Sequence, residues 1–439
     1  MGDDDHVQSG RLKRLSRLAY LTARTTGDLL AESARRKLSG SSESSADLRK
    51  AAERILGTLG ELKGAALKLG QALAMDPDAL PPEARSIVAR LLSQAPQRMA
   101  FEQVAAVVKA ELGGDPDSLF QSFDRDPIAA ASLGQVHGAV LADGREVVVK
   151  VQYPGVDKAL ESDLANAAVL VRGLSITARS LDGREYYDEL RGSLLKELDY
   201  LQEAEQCRAY AAAAIRYPEL AVPEPIAERT SSKVLTLTRI RGPTLLEAIE
   251  SDPGAEERYR IGRLLTFAIW GPFFAARRIH ADPHPGNFVV MQDKRLGVLD
   301  FGATKLLSEK FAATYRSLLA ANANGRPRPE IGPALGRAGF TFLAEDIEDA
   351  YELCDKIADI VERPISIDEP YDFGSDPMVQ DVRRLFQANP RMALAIRPPV
   401  EAVLFYRSAA GLAQDLRLLK AKGRFRPILR EIEDRGQIA

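Results

Sequence analysis

The sequence predicts an α+β fold of two lobes with a helical extension ahead of them. Three observations carry that expectation. GQVHGAVLADGREVVVKV alternates on both sides of an Ala-Asp-Gly turn, which is a hairpin signal. Helical periodicity runs through 48–112 and through most of the chain after 245. Between them, 221–242 returns to strand character and RLGVLDFGATKLL interrupts the later helices.

Taken in order, residues 1–47 comprise a polar start, a helix and the linker SGSSESSAD. The helix places Leu12, Leu15, Leu18 and Leu21 on one stripe, and 11–37 carries eight Lys or Arg against two acids. It reads equally as an amphipathic helix on an anionic membrane surface or as a helix docked on its own domain. Residues 48–100 form a helical extension, with Leu62, Ala66, Leu69 and Leu73 on one face. Residues 101–244 form a sheet-rich lobe with a long helical insertion from 155, and a second hairpin is expected to turn near Ser231. Residues 245–439 form a mostly helical lobe.

Composition narrows the function classes. The 439 residues are 45% hydrophobic and 28% charged, typical of a globular protein. A net charge of −3 argues against a dedicated nucleic-acid binder. Cys207 and Cys354 are too few and too distant for a zinc motif or a disulfide framework. No run approaches the roughly 18 to 20 apolar residues of a membrane span, and no compact apolar core marks a signal peptide. A cytoplasmic protein, at most peripheral on the membrane, is the expectation.

RIHADPHPGNFVV (278–290) concentrates the chemistry. His280 and His284 are four apart, but Pro283 and Pro285 forbid the helix that would stack them as metal ligands. The same loop suits phosphoryl transfer. Asp282 is followed five positions later by Asn287, and Asp300-Phe301-Gly302 begins thirteen further on. Such spacing matches the H-R-D-x-x-x-x-N and D-F-G elements of protein kinases. Asp282 is the carboxylate facing an acceptor. Asn287 and Asp300 are oxygen ligands for Mg²⁺, brought side by side by two short strands and a turn.

Upstream, PIAAASLGQVH supplies a candidate phosphate-covering loop: Ala129, Ala130, Ala131, Ser132, Gly134 and Val136. Alanine where glycine is usual makes it stiffer. Lys150 ends a strand, suited to hold the α/β-phosphates. KELDYLQEAE offers a carboxylate partner among Glu197, Asp199 and Glu203. On a regular helix Asp199 and Glu203 share a face while Glu197 and Asp199 diverge by roughly 200°.

With LKLGQ (Lys68, Gly70, Gln71), these motifs resemble the UbiB/AarF-type atypical kinase family across about residues 60 to 305. The resemblance implies a protein-kinase-like fold binding ATP and Mg²⁺ between its lobes. Glu203 would be the lysine's partner, Glu197 and Asp199 the family's E-x-D pair, and Lys68 with Gln71 a helical gate over the pocket. It also implies a role in isoprenoid-quinone or other lipid metabolism, with a lipid or quinone precursor and a biosynthetic enzyme complex as partners. Two features disfavour protein phosphorylation: no A-P-E follows Asp300-Phe301-Gly302, and Ala281 stands where kinases carry arginine. Arg239 and Arg241 depart from the family's hinge. The leading expectation is an ATPase or phosphotransferase. The alternatives are a nucleotide-gated scaffold and a small-molecule kinase, the latter opposed by Lys68-Gly70-Gln71.

Overall fold

The computed structural model describes residues 98–157 except 132, 198–343, 347–366 and 368–437. The chain divides into two compact units, 1–98 with 155–187 and 99–154 with 188–439. Of the first unit only residues 98 and 155–157 are described, and every element named below belongs to the second.

The sheet of the first lobe grows from the predicted hairpin. Strand β3 (Gly134–Val140) pairs antiparallel with β4 (Glu146–Gln152), and β4 pairs with β6 (Val234–Thr238). Val147, Val149 and Val151 are fully buried against Val104 and Val108 of helix α1 (Phe101–Leu112). The period of two along a strand therefore turns Lys150 to the opposite face. That is how an apolar stripe aims a lysine at a cleft.

On the other side of β3, β1 (Ser122–Phe123) and β2 (Ala129–Ala131) pair with the same strand. They form one edge strand interrupted at 124–128. Asp124 N–H still reaches Gly138 O at 2.8 Å and Ile128 N–H reaches Val136 O at 2.8 Å. Pro127, between them, has no N–H to give, which suits a bulge at an edge. The alanine segment expected as a loop is thus strand for three of its residues. Gly134 lets β3 lie close against β4: a Cβ there would lie 2.1 Å from Val151 O.

The hairpin expected near Ser231 forms only in part. Residues 224–226 run antiparallel to β6, with Ile226 N–H to Thr236 O and Thr238 N–H to Glu224 O. Pro223 and Pro225 prevent a regular strand there. Residues 220–221 leave the sheet altogether as β5 (Leu220–Ala221).

Helix α2 (Tyr200–Ala213) lies between the lobes' cores, burying Tyr200, Ala204, Cys207 and Tyr210. After the 239–243 connection come α3 (Leu245–Glu250) and α4 (Ala255–Ala276). Helix α4 is buried through most of its length, as a central core helix should be. Against it pack α8 (Val400–Leu418) and α9 (Arg426–Gln437), with α5 (Glu309–Ala323) on α9, while α6 (Ile347–Val361) and α7 (Met378–Ala388) pack on each other. Phe273, Phe311 and Phe405 meet ring to ring in this core.

Two of the second lobe's four small sheets among the described residues frame the site. Strands β8 (Phe288–Val290) and β9 (Leu296–Val298) form a hairpin, and β5 joins β9 in parallel. Strands β7 (Arg278–His280) and β10 (Thr304–Leu306) pair antiparallel, with His280 opposite Thr304. Between them these sheets hold the 281–287 and 299–303 segments. No helix among the described residues is long and apolar enough to cross a membrane.

Candidate functional site

Lys150 sits at the middle of the sheet, opposite Val136 on one side and Leu235 on the other. Its ammonium donates to both Glu203 carboxylate oxygens at 3.0 Å and lies 3.7 Å from Asp300 Oδ2. The Tyr200 ring centroid is 5.2 Å away, close enough for a cation–π contact. Burial by itself pulls the Lys150 ammonium down. Asp300 and Glu203 more than offset that and hold it far above its ordinary range, so it stays charged at any physiological pH.

Glu203 reaches this position because α2 starts at Tyr200. Asp199 precedes the helix as its N-cap, and its carboxylate accepts from Leu201 N–H at 3.0 Å. The helical face shared by Asp199 and Glu203 therefore does not form. Glu203, in the first turn and 6% exposed, points at Lys150, while Asp199 satisfies the helix end. Lys68, Gly70, Gln71, Ser132 and Glu197 lie outside the described residues.

The second lobe supplies the other half. His280 Nε2 donates to Leu299 O at 3.1 Å, and its Nδ1 accepts from Asp282 N–H at 3.4 Å, so both ring nitrogens serve the loop's backbone. His284 Nδ1 accepts from Gly286 N–H at 3.1 Å. Among the described residues neither histidine joins a group of three or more metal-ligating side chains. Asn287 Nδ2 donates to Asp282 O at 2.9 Å and approaches Asp282 Oδ2 at 3.4 Å. With its amide nitrogen thus turned toward Asp282, Asn287 offers its Oδ1 on the other side.

Leu299 N–H donates to Asn287 O at 2.8 Å, so Asn287 and Asp300 are brought alongside by the β8–β9 hairpin as expected. Asp300 has φ 57°, a left-handed conformation costly for a residue with a Cβ. Phe301 sustains it. Its ring is fully buried, 5.2 Å from Tyr210 and 5.9 Å from His280. With the phenyl anchored inward, the Asp300 carboxylate turns toward Lys150. Asp300 and Asn287 form an oxygen donor pair beside a cleft, chemistry that fits a hard divalent cation shared with phosphates.

In the connection between the lobes, Arg239 and Arg241 turn to the first lobe's sheet. Arg241 makes a bidentate pair at 2.6 Å with Glu146, the first residue of β4. A side chain at Gly138 of β3 would lie 3.3 Å from the Arg239 guanidinium. Ile240 lies over β9, where Gly297 makes room: a Cβ there would come within 2.6 Å of it.

Three contacts escaped the sequence reading. Tyr200 lies buried against Lys150, and its hydroxyl has no hydrogen-bond partner among the described residues. From α8, more than a hundred residues downstream of the loop, Ser408 Oγ donates to His280 O at 2.8 Å. Its neighbour Arg407 donates through Nη2 to Asp282 Oδ1 at 2.7 Å. No linear pattern in EAVLFYRSAAGL announces a partner so distant. After Gly302 only five residues precede Ser308, the N-cap of α5, so the segment that presents peptides in protein kinases is cut short.

The comparisons with known proteins agree with this geometry. The model of the ABC1 atypical kinase-like domain matches residues 90–326. The atypical kinase coq-8, mitochondrial, of Caenorhabditis elegans is 30% identical over 372 residues, covering 82% of this chain and 48% of the relative. The atypical kinase COQ8, mitochondrial, of Saccharomyces cerevisiae is 32% identical over 269 residues, covering 61% and 53%. The chain thus spans about half the length of these curated relatives. Among solved structures, the Rv3197–erythromycin complex from Mycobacterium tuberculosis is similar with a TM-score of 0.59 and 29% identity, over 88% of this chain and 95% of that one. The two-lobed α+β fold is that of a kinase-like domain, and the chain belongs to the ABC1 atypical kinase-like family, the UbiB/AarF group its motifs resemble.

Proposed function

We propose that this chain binds ATP with Mg²⁺ between its lobes and hydrolyses it or transfers its γ-phosphoryl group. The observation that carries the reading is the convergence of Lys150, Glu203 and Asp300 from three separate elements on one charge cluster. A lysine held charged in a half-closed cleft suits the α- and β-phosphates. The β2–β3 hairpin, with Ala129, Ala130, Ala131, Gly134 and Val136, forms the cover above them, and Ser132 shares that role by the family resemblance.

Mg²⁺, held by Asn287 and Asp300, would neutralise charge on the phosphate oxygens. Asp282 acts as the base or orienter for the incoming hydroxyl. Asn287 fixes the Asp282 backbone, and Ser408 fixes that of His280, so the carboxylate is placed before substrate arrives. From the family resemblance we carry over a gating role for Lys68 and Gln71 and a part in nucleotide binding for Glu197 and Asp199. The shortened segment before α5 favours a small or lipidic acceptor over a peptide. The biological setting we propose is isoprenoid-quinone or other lipid metabolism at a membrane surface, with 11–37 as the contact. The division into 1–47, 48–100, 101–244 and 245–439 belongs to the same proposal.

The test is Mg²⁺-dependent ATP turnover by the purified chain, with and without anionic liposomes, for wild type, Asp282→Asn and Lys68→Ala. General-base assistance is worth about 10²- to 10⁴-fold, so Asp282→Asn should fall by that order. Lys68→Ala should turn over faster. ATP binding without any Asp282-dependent turnover would replace this reading with a nucleotide-gated scaffold.

A further inference from the structure

Two consecutive residues of α8 grip the two ends of His280-Ala281-Asp282, and they do so differently. Ser408 is fully buried and holds a backbone carbonyl. Arg407 holds the Asp282 carboxylate itself, and its side chain is 41% exposed. Helix α8 is anchored independently by Ala402, Phe405, Leu412 and Leu416. The guanidinium can therefore swing away without unpacking the helix.

The arginine occupies the oxygen that phosphoryl transfer needs. Asp282 Oδ1 is taken by Arg407 at 2.7 Å, and Oδ2 faces Asn287 Nδ2 at 3.4 Å. A hydroxyl approaching Asp282 meets a carboxylate already satisfied by a charge-assisted hydrogen bond. The loop's own charge does not supply this contact, because residue 281 is a buried alanine.

We propose that Arg407 is a built-in brake on Asp282, released by an acceptor that carries an anionic group beside its hydroxyl. This inference rests on Asp282 acting as the base. Arginine's planar fork pairs with phosphate or carboxylate as well as it does with Asp282, so an anionic acceptor offers the guanidinium an alternative partner. Water or a neutral alcohol offers none. Once the carboxylate is uncovered, the acceptor oxygen attacks the γ-phosphorus, the bond to the β,γ-bridging oxygen breaks, and the hydroxyl proton passes to Asp282. ADP leaves with the electron pair.

The experiment measures Mg²⁺-ATP turnover by the full chain with glycerol or glycerol 3-phosphate as matched neutral and anionic probes. The variants are Arg407→Ala, Arg407→Lys, Asp282→Asn and the Arg407→Ala/Asp282→Asn double variant. Releasing a partly exposed charge-assisted bond predicts that Arg407→Ala raises kcat for hydrolysis about three- to tenfold, with KM for ATP and Tm unchanged. Wild type should respond to glycerol 3-phosphate several times more than to glycerol, Arg407→Ala should respond to both alike, and Arg407→Lys should fall between. The double variant should be as slow as Asp282→Asn, because the gain passes through that carboxylate. If Arg407→Ala destabilises the fold, Arg407→Gln carries the same prediction. A rate equal to or below wild type in a folded Arg407 variant, with Asp282→Asn still inactive, overturns the brake and leaves the proposed function standing. Equal responses of wild type to both probes overturn the anionic acceptor. An undiminished Asp282→Asn overturns the base itself, and the brake with it.

Discussion

Lys150 and Glu203 meet with both carboxylate oxygens 3.0 Å from one ammonium, and the two side chains are only 15% and 7% exposed. The pair ties the centre of the sheet to the first turn of α2, and Asp300 adds the second lobe from 3.7 Å. Removing one partner from such a pair leaves a buried charge. Glu203→Ala should therefore cost about 3–5 kcal/mol, read by urea unfolding, and should weaken ATP binding. Lys150→Met combined with Glu203→Leu should recover much of the stability and none of the binding. Equal stability of Glu203→Ala and wild type would contradict the linkage.

Gly134 and Gly144 sit in the same hairpin for different reasons. At Gly134 a Cβ would meet Val151 O at 2.1 Å, so the neighbouring strand must move. Gly144 has φ 85° and open space around it. Gly134→Ala should lower stability by about 1–3 kcal/mol or more and disturb nucleotide affinity. Gly144→Ala should cost about 1 kcal/mol and leave affinity unchanged. Thermal melting with and without ATP separates the two.

His137 is buried in the first lobe's core. Its Nδ1 donates to Asp124 O at 2.8 Å, which leaves Nε2 to accept from Gln135 Nε2 at 2.9 Å. Burial holds its pKa below the ordinary 6.5 despite the nearby Asp124 and Asp126. A histidine depressed in the folded state gives stability that is present above 6.5 and lost as pH falls toward the folded value. The melting temperature should decline from pH 7 to pH 5, and His137→Gln should flatten that decline. Protonation would also set two donors against each other and loosen Gln135, whose Oε1 accepts from Met99 N–H at 2.9 Å.

Asp415 is 1% exposed, and its Oδ2 has no hydrogen-bond partner among the described residues. Burial pushes its carboxyl well above the ordinary 3.8. Here the sign is opposite: the stability is present below 3.8 and is lost as pH rises through the folded value. Asp415→Asn should melt higher than wild type at pH 8 and no higher at pH 4. A constant difference across that range would contradict a titrating Asp415.

Much of the candidate site was legible because its parts are local. The 282–287–300 spacing and the hairpin at 134–152 each lie within a few elements, and short-range patterning is enough to place them. The alanine segment reads as a loop from sequence because β pairing with β3 depends on the partner strand. Asp199 reads as part of a helix face because its role as a cap depends on where α2 starts.

By itself the sequence singled out the candidate site's residues and their order along the chain: Lys150 on a strand, a carboxylate at 203, Asp282, Asn287 and Asp300 around a hairpin. Strand alternation, proline positions and fixed spacings are properties of neighbouring residues, so they survive without knowledge of the fold. The family resemblance already implies Glu203 as the partner of Lys150; only the tertiary structure decided that Asp199 caps α2 instead, that Phe301 turns Asp300 outward, and that α8 closes on the 280–282 loop through Ser408 and Arg407. The contacts of Phe301, Ser408 and Arg407 join residues far apart in the chain. They exist because burial of the two cores sets which helix lies beside which loop, and no local pattern encodes that choice.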